Sequence, residues 1–210
     1  MQKNYPKFIT FEGIDGVGKS TQAELLGKYL NNKGINTVKT REPGGTPNAE
    51  NIRNLILQNN FEALTEVLLF QAARVEHINN LIKPSISEGK IVISDRYIDS
   101  TIVYQGLNGV AMDEILNIHK ITTDNFFPDL TFLLIADISE TISRIDARPQ
   151  NKNRFDKMTK EDFLLIQEKF LHLATIFKER IVVINANLSA EYTHQQIVNY
   201  LENGILLDSF

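Results

Sequence analysis

Apolar residues in this chain gather in short unbroken runs. Ile91-Val92-Ile93, Phe132-Leu133-Leu134-Ile135-Ala136 and Ile181-Val182-Val183-Ile184 are the clearest. Such runs suit strands of a parallel sheet covered on both faces, where neither side meets water. With a β-like run at Lys7-Phe8-Ile9-Thr10-Phe11, they predict strands over 7–12, 36–41, 90–95, 130–136 and 181–185. The segments between them carry helical spacing and predict helices over 19–32, 47–58, 62–83, 98–105, 111–124, 138–147, 159–178 and 189–203. The helix over 62–83 shows an apolar stripe at about 100° per residue, made of Leu64, Val67, Leu68, Gln71, Val75, Ile78 and Ile82. That stripe predicts its core face, with Phe70, Arg74, His77 and Leu81 on the flank. Strand and helix alternate, so the expected fold is α/β: a doubly wound five-stranded parallel sheet flanked by helices, with helical crossovers. Ligands of such a sheet gather at the carboxyl ends of its strands.

The residues that follow the strands fit that expectation. After the first comes Gly13-Ile14-Asp15-Gly16-Val17-Gly18-Lys19-Ser20, then Thr21 and the next helix. This is a G-x-x-x-x-G-K-[ST] loop in its strand–loop–helix setting, the mark of a P-loop NTPase fold. Its glycines let backbone N–H groups turn toward phosphate oxygens. The helix start and Lys19 supply positive charge, and Ser20 can ligate Mg²⁺. After the second strand stands Arg41-Glu42-Pro43-Gly44-Gly45, after the third Asp95-Arg96-Tyr97, and after the fourth Asp137. Arg41 and Arg96 are candidate ligands for a second anion, or, taken singly, surface ion-pair partners. Asp95 ends an apolar strand, where a carboxylate reaches Mg²⁺ or caps a helix. Phe70 and Arg74 lie one turn apart, a spacing that can hold a flat heterocycle or can equally pack on a neighbouring helix.

Composition narrows the field. With 210 residues the chain suits one domain, and 42% apolar residues supply its core. A net charge of −4 argues against a dominant nucleic-acid or anionic-membrane surface. There is no Cys, hence no disulfide, thiolate metal site or thiol nucleophile. No apolar run is long enough to span a bilayer and the N-terminal residues have no apolar signal core, so the expected location is cytoplasmic. Residues 144–156 break the pattern: the segment is polar, basic and interrupted by Pro149. It is either a lid over the phosphate site or a solvated linker. Thr159-Lys160-Glu161-Asp162 after it is a variant capping box.

Outside the phosphate loop the chain has neither the Asp-x-x-Gly nor the Asn-Lys-x-Asp sequence of a GTPase. Its motifs resemble those of the thymidylate kinases over nearly the whole length. They are Phe11–Thr21, Thr40-Arg41-Glu42-Pro43-Gly44-Gly45-Thr46, Leu69-Phe70-Gln71-Ala72-Ala73-Arg74, Asp95-Arg96-Tyr97 with Ser100-Thr101 and Tyr104-Gln105-Gly106, and Arg144, Arg148 and Arg154-Phe155-Asp156. The Arg-Glu-Pro-Gly-Gly-Thr and Asp-Arg-Tyr motifs in this order are the specific ones. The resemblance implies transfer of the ATP γ-phosphoryl group to dTMP, with Mg²⁺, by a homodimer. It implies that Asp15 binds the sugar 3′-hydroxyl and that Arg41 and Arg96 hold the acceptor phosphate. Phe70 would stack on thymine and Arg74 would donate to a thymine carbonyl. Ser100, Thr101 and Gln105 would line the acceptor site, and Tyr104 would pack under the deoxyribose. Lys19, Ser20 and Asp95 would serve the donor phosphates and Mg²⁺. Some members carry an arginine inside the phosphate loop. Here Gly16 stands after Asp15, so Arg148 and Arg154 are the substitutes. Two departures are Pro149 within the basic segment and Ile184-Asn185-Ala186, where members often have Asp-Ala near the adenine end. The rival readings are a kinase for another nucleoside monophosphate and a non-catalytic nucleotide-dependent switch.

Overall fold

In the computed structural model, residues 5–146 and 158–204 are described. Five strands form one sheet: β1 (Phe8–Glu12), β2 (Thr37–Arg41), β3 (Ile91–Asp95), β4 (Leu130–Ile135) and β5 (Ile181–Asn185). All neighbours pair parallel, in the order β2-β3-β1-β4-β5. β1 lies at the centre and all five of its residues are buried. Its Phe11 meets Phe132 of β4 with ring centroids 5.6 Å apart. Each such side chain, fully withdrawn from water, contributes about 1.5–3 kcal/mol. The unbroken apolar runs of the sequence are thus the strands covered on both faces.

Around the sheet lie α1 (Lys19–Asn32), α2 (Pro47–Gln58), α3 (Ala63–His77), α4 (Lys83–Ser87), α5 (Ile98–Leu107), α6 (Met112–Thr123), α7 (Ile138–Asp146), α8 (Lys160–Ile176) and α9 (Ala190–Asn203). Their starts follow local chemistry. The Thr46 side chain accepts from the Ala49 N–H ahead of Pro47, and Ser189 does the same for Tyr192. Thr159 and Asp162 form the expected reciprocal capping box of α8.

The expected single helix over 62–83 differs in two ways. First, the helical rod continues to Ser87 through a π turn, Ile78–Ile82, which joins α3 to α4. The Lys83 N–H bonds to the Ile78 carbonyl five residues back. This wide turn accommodates Pro84, whose ring and missing N–H would disrupt a regular helix. Second, the buried face is only partly the expected stripe. Val67, Gln71, Ile78 and Ile82 are buried as expected, but Leu64 is 50% and Leu68 is 52% exposed, and Glu66, Arg74 and His77 turn inward beside them. These polar side chains find hydrogen-bond partners in Gln105, Glu42, Thr101 and Thr40, so burial there follows satisfied polarity.

Register aligns the carboxyl ends. Asp95 lies level with Phe11 on one side and with Arg41 on the other. The phosphate loop, the 41–45 loop and the 95–97 turn therefore share one edge.

Candidate active site

The phosphate loop is packed from both sides. A Cβ on Gly13 would lie 2.4 Å from the Leu134 carbonyl oxygen, and one on Gly16 would lie 2.7 Å from Ile145 Cγ1 of α7. Both glycines hold positive φ. Position 16 therefore has no room for a side chain while α7 sits on the loop. Lys19 begins α1 and is buried. Its Nζ donates to the Ile14 carbonyl at 2.8 Å and stands 3.7 Å from Asp15 Oδ1. Burial, then the Arg96 charge, lowers the Lys19 pKa, while Asp15, Asp95 and Glu12 oppose that shift. A cation held among its own backbone and carboxylates is poised to exchange them for phosphate oxygens. The Ser20 hydroxyl donates to Asp95 Oδ2. Asp95 thus faces the loop and does not cap α5, whose preceding residue is Tyr97. Ser20 and Asp95 bring a hydroxyl and a carboxylate together, the hard oxygen donors that suit Mg²⁺. Among the described residues no group of three or more His, Asp or Glu can hold a metal ion unaided.

The 95–97 turn carries Arg96 in the left-handed region, at φ 72°. Its Nη2 donates to Asp15 Oδ1 at 2.7 Å and its Nη1 to Ser100 Oγ at 2.7 Å. The guanidinium carbon lies 5.3 Å from the centre of the Tyr104 ring. Burial raises the Tyr104 phenol above its ordinary value, so it remains a neutral donor. Burial, reinforced by Asp99 and opposed by Arg96, pushes Glu12 up to about 7.

The 41–45 loop is tied down by two glutamates. Glu50 of α2 accepts from Arg41 Nη2 at 2.9 and 3.0 Å and from the Gly45 N–H at 2.8 Å. A Cβ on Gly45 would stand 2.5 Å from both His77 Nε2 and Thr40 Oγ1, so the glycine makes space for a buried histidine. Glu42 is buried between α3 groups: Arg74 Nε donates to its Oε2 at 2.8 Å, and His77 Nδ1 lies 3.0 Å from its Oε1. His77 Nε2 meets Thr40 Oγ1 at 2.7 Å. Arg74 is further fixed by Gln71 Oε1 and by Thr101 Oγ1, each accepting at 2.9 Å. Arg74 and Thr101 are therefore together as the sequence expected. Gln105, also buried, donates to Glu66 Oε2 at 3.1 Å, and Phe70 is half-buried on the same helix as Arg74.

Arg53 was not among the sequence candidates. It donates to the Pro43 carbonyl at 2.8 Å. Burial lowers its pKa, and Arg41 and Arg96 add to that shift while Glu50 and Asp95 oppose it. Arg53 thus feels the guanidiniums of both Arg41 and Arg96, and such a gathering of cations favours an anion between them. Arg53 lay hidden inside a helix, away from any strand end. A signal was present: it interrupts the buried Ala49–Ile56 stripe of α2 at helical spacing.

Arg148 and Arg154 lie outside the described residues. Arg144, in the last turn of α7, donates from Nη2 to Glu140 Oε2 at 3.4 Å, an exposed pair of small energetic weight. After β5, Asn185 accepts from the Asn187 N–H at 3.0 Å and its carbonyl accepts from Gln196 at 2.8 Å, which fixes the loop at the site's far end. Among the described residues no helix is long and apolar enough to cross a membrane.

The sequence and the fold are similar to those of known proteins. The profile of the family described as "Thymidylate kinase" matches residues 11–197. A thymidylate kinase of Orientia tsutsugamushi is 43% identical over 202 residues, covering 94% of this chain and 93% of the relative. One of Bartonella quintana is 43% identical over 207 residues, covering 95% and 96%. The crystal structure of thymidylate kinase from Ehrlichia chaffeensis superposes with a TM-score of 0.76 at 36% identity, covering 95% of this chain and all of that one.

Proposed function

The chain belongs to the thymidylate kinase family, and on that premise we propose how its own residues divide the work of phosphoryl transfer. The reaction is ATP plus dTMP giving ADP plus dTDP. The attacking atom is an oxygen of the dTMP phosphate, already an anion, so no strong base is required. The obstacle is the repulsion between two polyanions that must come into line.

The observation that carries the assignment of roles is the double anion site on one sheet edge. Lys19 and the loop amides take the donor phosphates on one side. Arg41, Arg53 and Arg96 face them from the other and take the acceptor phosphate. When the dTMP phosphate enters, it replaces carboxylates that now occupy these guanidiniums, Glu50 on Arg41 and Asp15 on Arg96. Asp15 is then released toward the 3′-hydroxyl. Arg74, its guanidinium fixed on three sides by Glu42, Gln71 and Thr101, keeps unused donors for a thymine carbonyl. Phe70 stacks on the base, Tyr104 fills the space under the deoxyribose, and Ser100 and Gln105 complete the pocket wall.

Mg²⁺ bound by Ser20 and Asp95 would neutralise charge between the donor phosphates. The remaining positive charge for the transferring group falls to Arg148 and Arg154. The packing of Ile145 and Thr141 against Gly16 supports this, since it excludes an arginine from the loop.

A homodimer is favoured by a line of bare apolar side chains on three neighbouring helices. Leu55 of α2, Leu64 and Leu68 of α3 and Ile121 of α6 are all exposed, and α3 packs on both of the others. A second copy of this chain is the proposed cover. Sedimentation of the Leu64→Glu/Leu68→Glu double variant is expected to give monomer, and an unchanged sedimentation coefficient would refute this face. An enzyme drawing on ATP and dTMP belongs with those pools, in the cytoplasm.

Arg53→Ala tests the double anion site. It is expected to raise the KM for dTMP by at least tenfold and to leave the KM for ATP within twofold. An unchanged dTMP KM would remove Arg53 from the acceptor site.

A further inference from the structure

Glu12 closes β1 as a carboxylate only 1% exposed, and the reaction described above gives it no task. Its hydrogen-bond partners are all donors, while the Asp99 carboxylate lies near enough to raise its pKa. Its Oε1 accepts from the Tyr97 N–H at 2.7 Å and the Ser100 N–H at 3.3 Å. Its Oε2 accepts from Ser100 Oγ at 2.6 Å and lies 3.9 Å from Arg96 Nη1. Glu12 is thus a cap for α5 supplied from another element, in a place where Tyr97 offers no side-chain cap of its own. A Ser or Asp at position 97 would cap the helix without burying a charge taken from another strand, and burying a charge is costly. Capping alone does not account for Glu12.

The neighbouring backbone does. Arg96 has a side chain and still holds φ 72°, a conformation that costs about 1–2 kcal/mol and persists only where the surroundings impose it. Both amides flanking it are bound by β1: the Arg96 N–H by the Phe11 carbonyl at 2.9 Å and the Tyr97 N–H by Glu12. The side chain is held through the same carboxylate. Arg96 Nη1 donates to Ser100 Oγ, and since a guanidinium can only donate, the single Ser100 hydroxyl proton must point to Glu12. With Glu12 ionised, the direction of every hydrogen bond in this relay is therefore fixed by Glu12 as an acceptor.

We propose that Glu12 is the positioning residue of the acceptor-phosphate arginine: through the Tyr97 amide and the Ser100 hydroxyl it holds the Arg96 backbone in its left-handed turn and the guanidinium in place. The proposal rests on the assignment of Arg96 to the acceptor phosphate.

The test is the phosphate increment, the ratio of the Kd for thymidine to that for dTMP, measured by calorimetry on the intact chain. Glu12→Gln keeps the length of the side chain and presents an amide donor to groups that all donate. It is expected to weaken dTMP binding at least tenfold and leave thymidine binding within twofold, with the KM for ATP unchanged. Equal weakening of both ligands would make Glu12 merely structural, and no weakening of either would make it idle; each result overturns the proposal. Ser100→Ala, which deletes the relay hydroxyl and leaves the carboxylate, must also shrink the increment, and it decides the matter if Glu12→Gln does not fold. Arg96→Ala separates the two levels. If it keeps the increment, the assignment of Arg96 fails and the proposal with it. If it loses the increment while Glu12→Gln and Ser100→Ala keep it, the assignment stands and the role of Glu12 falls.

Discussion

Glu42→Gln isolates the buried ion pair behind base recognition. The carboxylate is 4% exposed and receives Arg74 Nε at 2.8 Å and His77 Nδ1 at 3.0 Å. Burial alone would push its pKa up; the Arg74 charge and the His77 hydrogen bond outweigh burial and hold it below the ordinary glutamate value. Glutamine fills the same space and removes the charge, which leaves Arg74, itself 1% exposed, a buried cation without its counter-ion. Breaking such a pair from one side costs on the order of 3–5 kcal/mol, and the retained amide oxygen places this case near the lower end. Against a total stability of roughly 5–15 kcal/mol, urea unfolding resolves a loss of that size easily. A second reading follows from function. Thymine offers a carbonyl where cytosine offers an amino group. A loosened Arg74 then discriminates less, and the ratio of kcat/KM for dTMP over dCMP should fall by roughly tenfold or more, the worth of one charge-assisted hydrogen bond. Stability within about 0.5 kcal/mol of the parent, a change no larger than that of an ordinary surface substitution, together with an unaltered ratio would refute the role given to Glu42.

Phe70→Ala should raise the KM for dTMP about tenfold or more, as loss of a stacking platform does; an unchanged KM would leave Phe70 as packing alone. Arg148→Ala should lose on the order of 10³-fold in kcat with little change in dTMP affinity, and a near-parental kcat would pass the transition-state role to Arg154. Stability against pH should reveal two opposed groups. Glu12, pushed up to about 7, holds its proton more tightly when folded, so its contribution is full below the unfolded value and is lost as pH rises toward 7. His119, pulled down to about 4 by burial and then by Arg74, does the reverse: its contribution is full above the unfolded value and is lost as pH falls toward 4, by about 3 kcal/mol. Urea midpoints of Glu12→Gln should therefore climb more steeply between pH 4.5 and 6.5 than those of the parent; parallel curves would contradict this.

Much of this was legible in the residues. Unbroken apolar runs marked β3, β4 and β5 within a residue, because both faces of a parallel sheet are dry there, whereas the edge strand β2, Thr37-Val38-Lys39-Thr40-Arg41, is half exposed and carries no such run. The glycines and charges after β1, β2 and β3 marked the edge where chemistry collects. What escaped was set by partners distant in sequence. The stripe of α3 held at Val67, Gln71, Ile78 and Ile82 but misled at its start, because Leu64 and Leu68 stay bare while Arg74 and His77 turn in toward Glu42, Thr101 and Thr40. The expected helix ended at 83, whereas the rod runs on to Ser87 through a π turn that has no local signature. Arg53 and Glu12 went unnoticed for a shared reason: each looks ordinary in its own element, a charge on a helix and an acid at a strand end. Their meaning lies in Pro43 and in the Tyr97–Ser100 segment, which only folding brings alongside.

The most direct test of the central claim is a coupled ADP-release assay with ATP, Mg²⁺ and each nucleoside monophosphate in turn. The account predicts turnover that depends on an acceptor, strong with dTMP and weak with the ribonucleotides, which the proposed place of Tyr104 under the deoxyribose would exclude. Stronger turnover with another acceptor would overturn the base and sugar assignments, and ADP release that ignores the acceptor would contradict phosphoryl transfer to dTMP altogether.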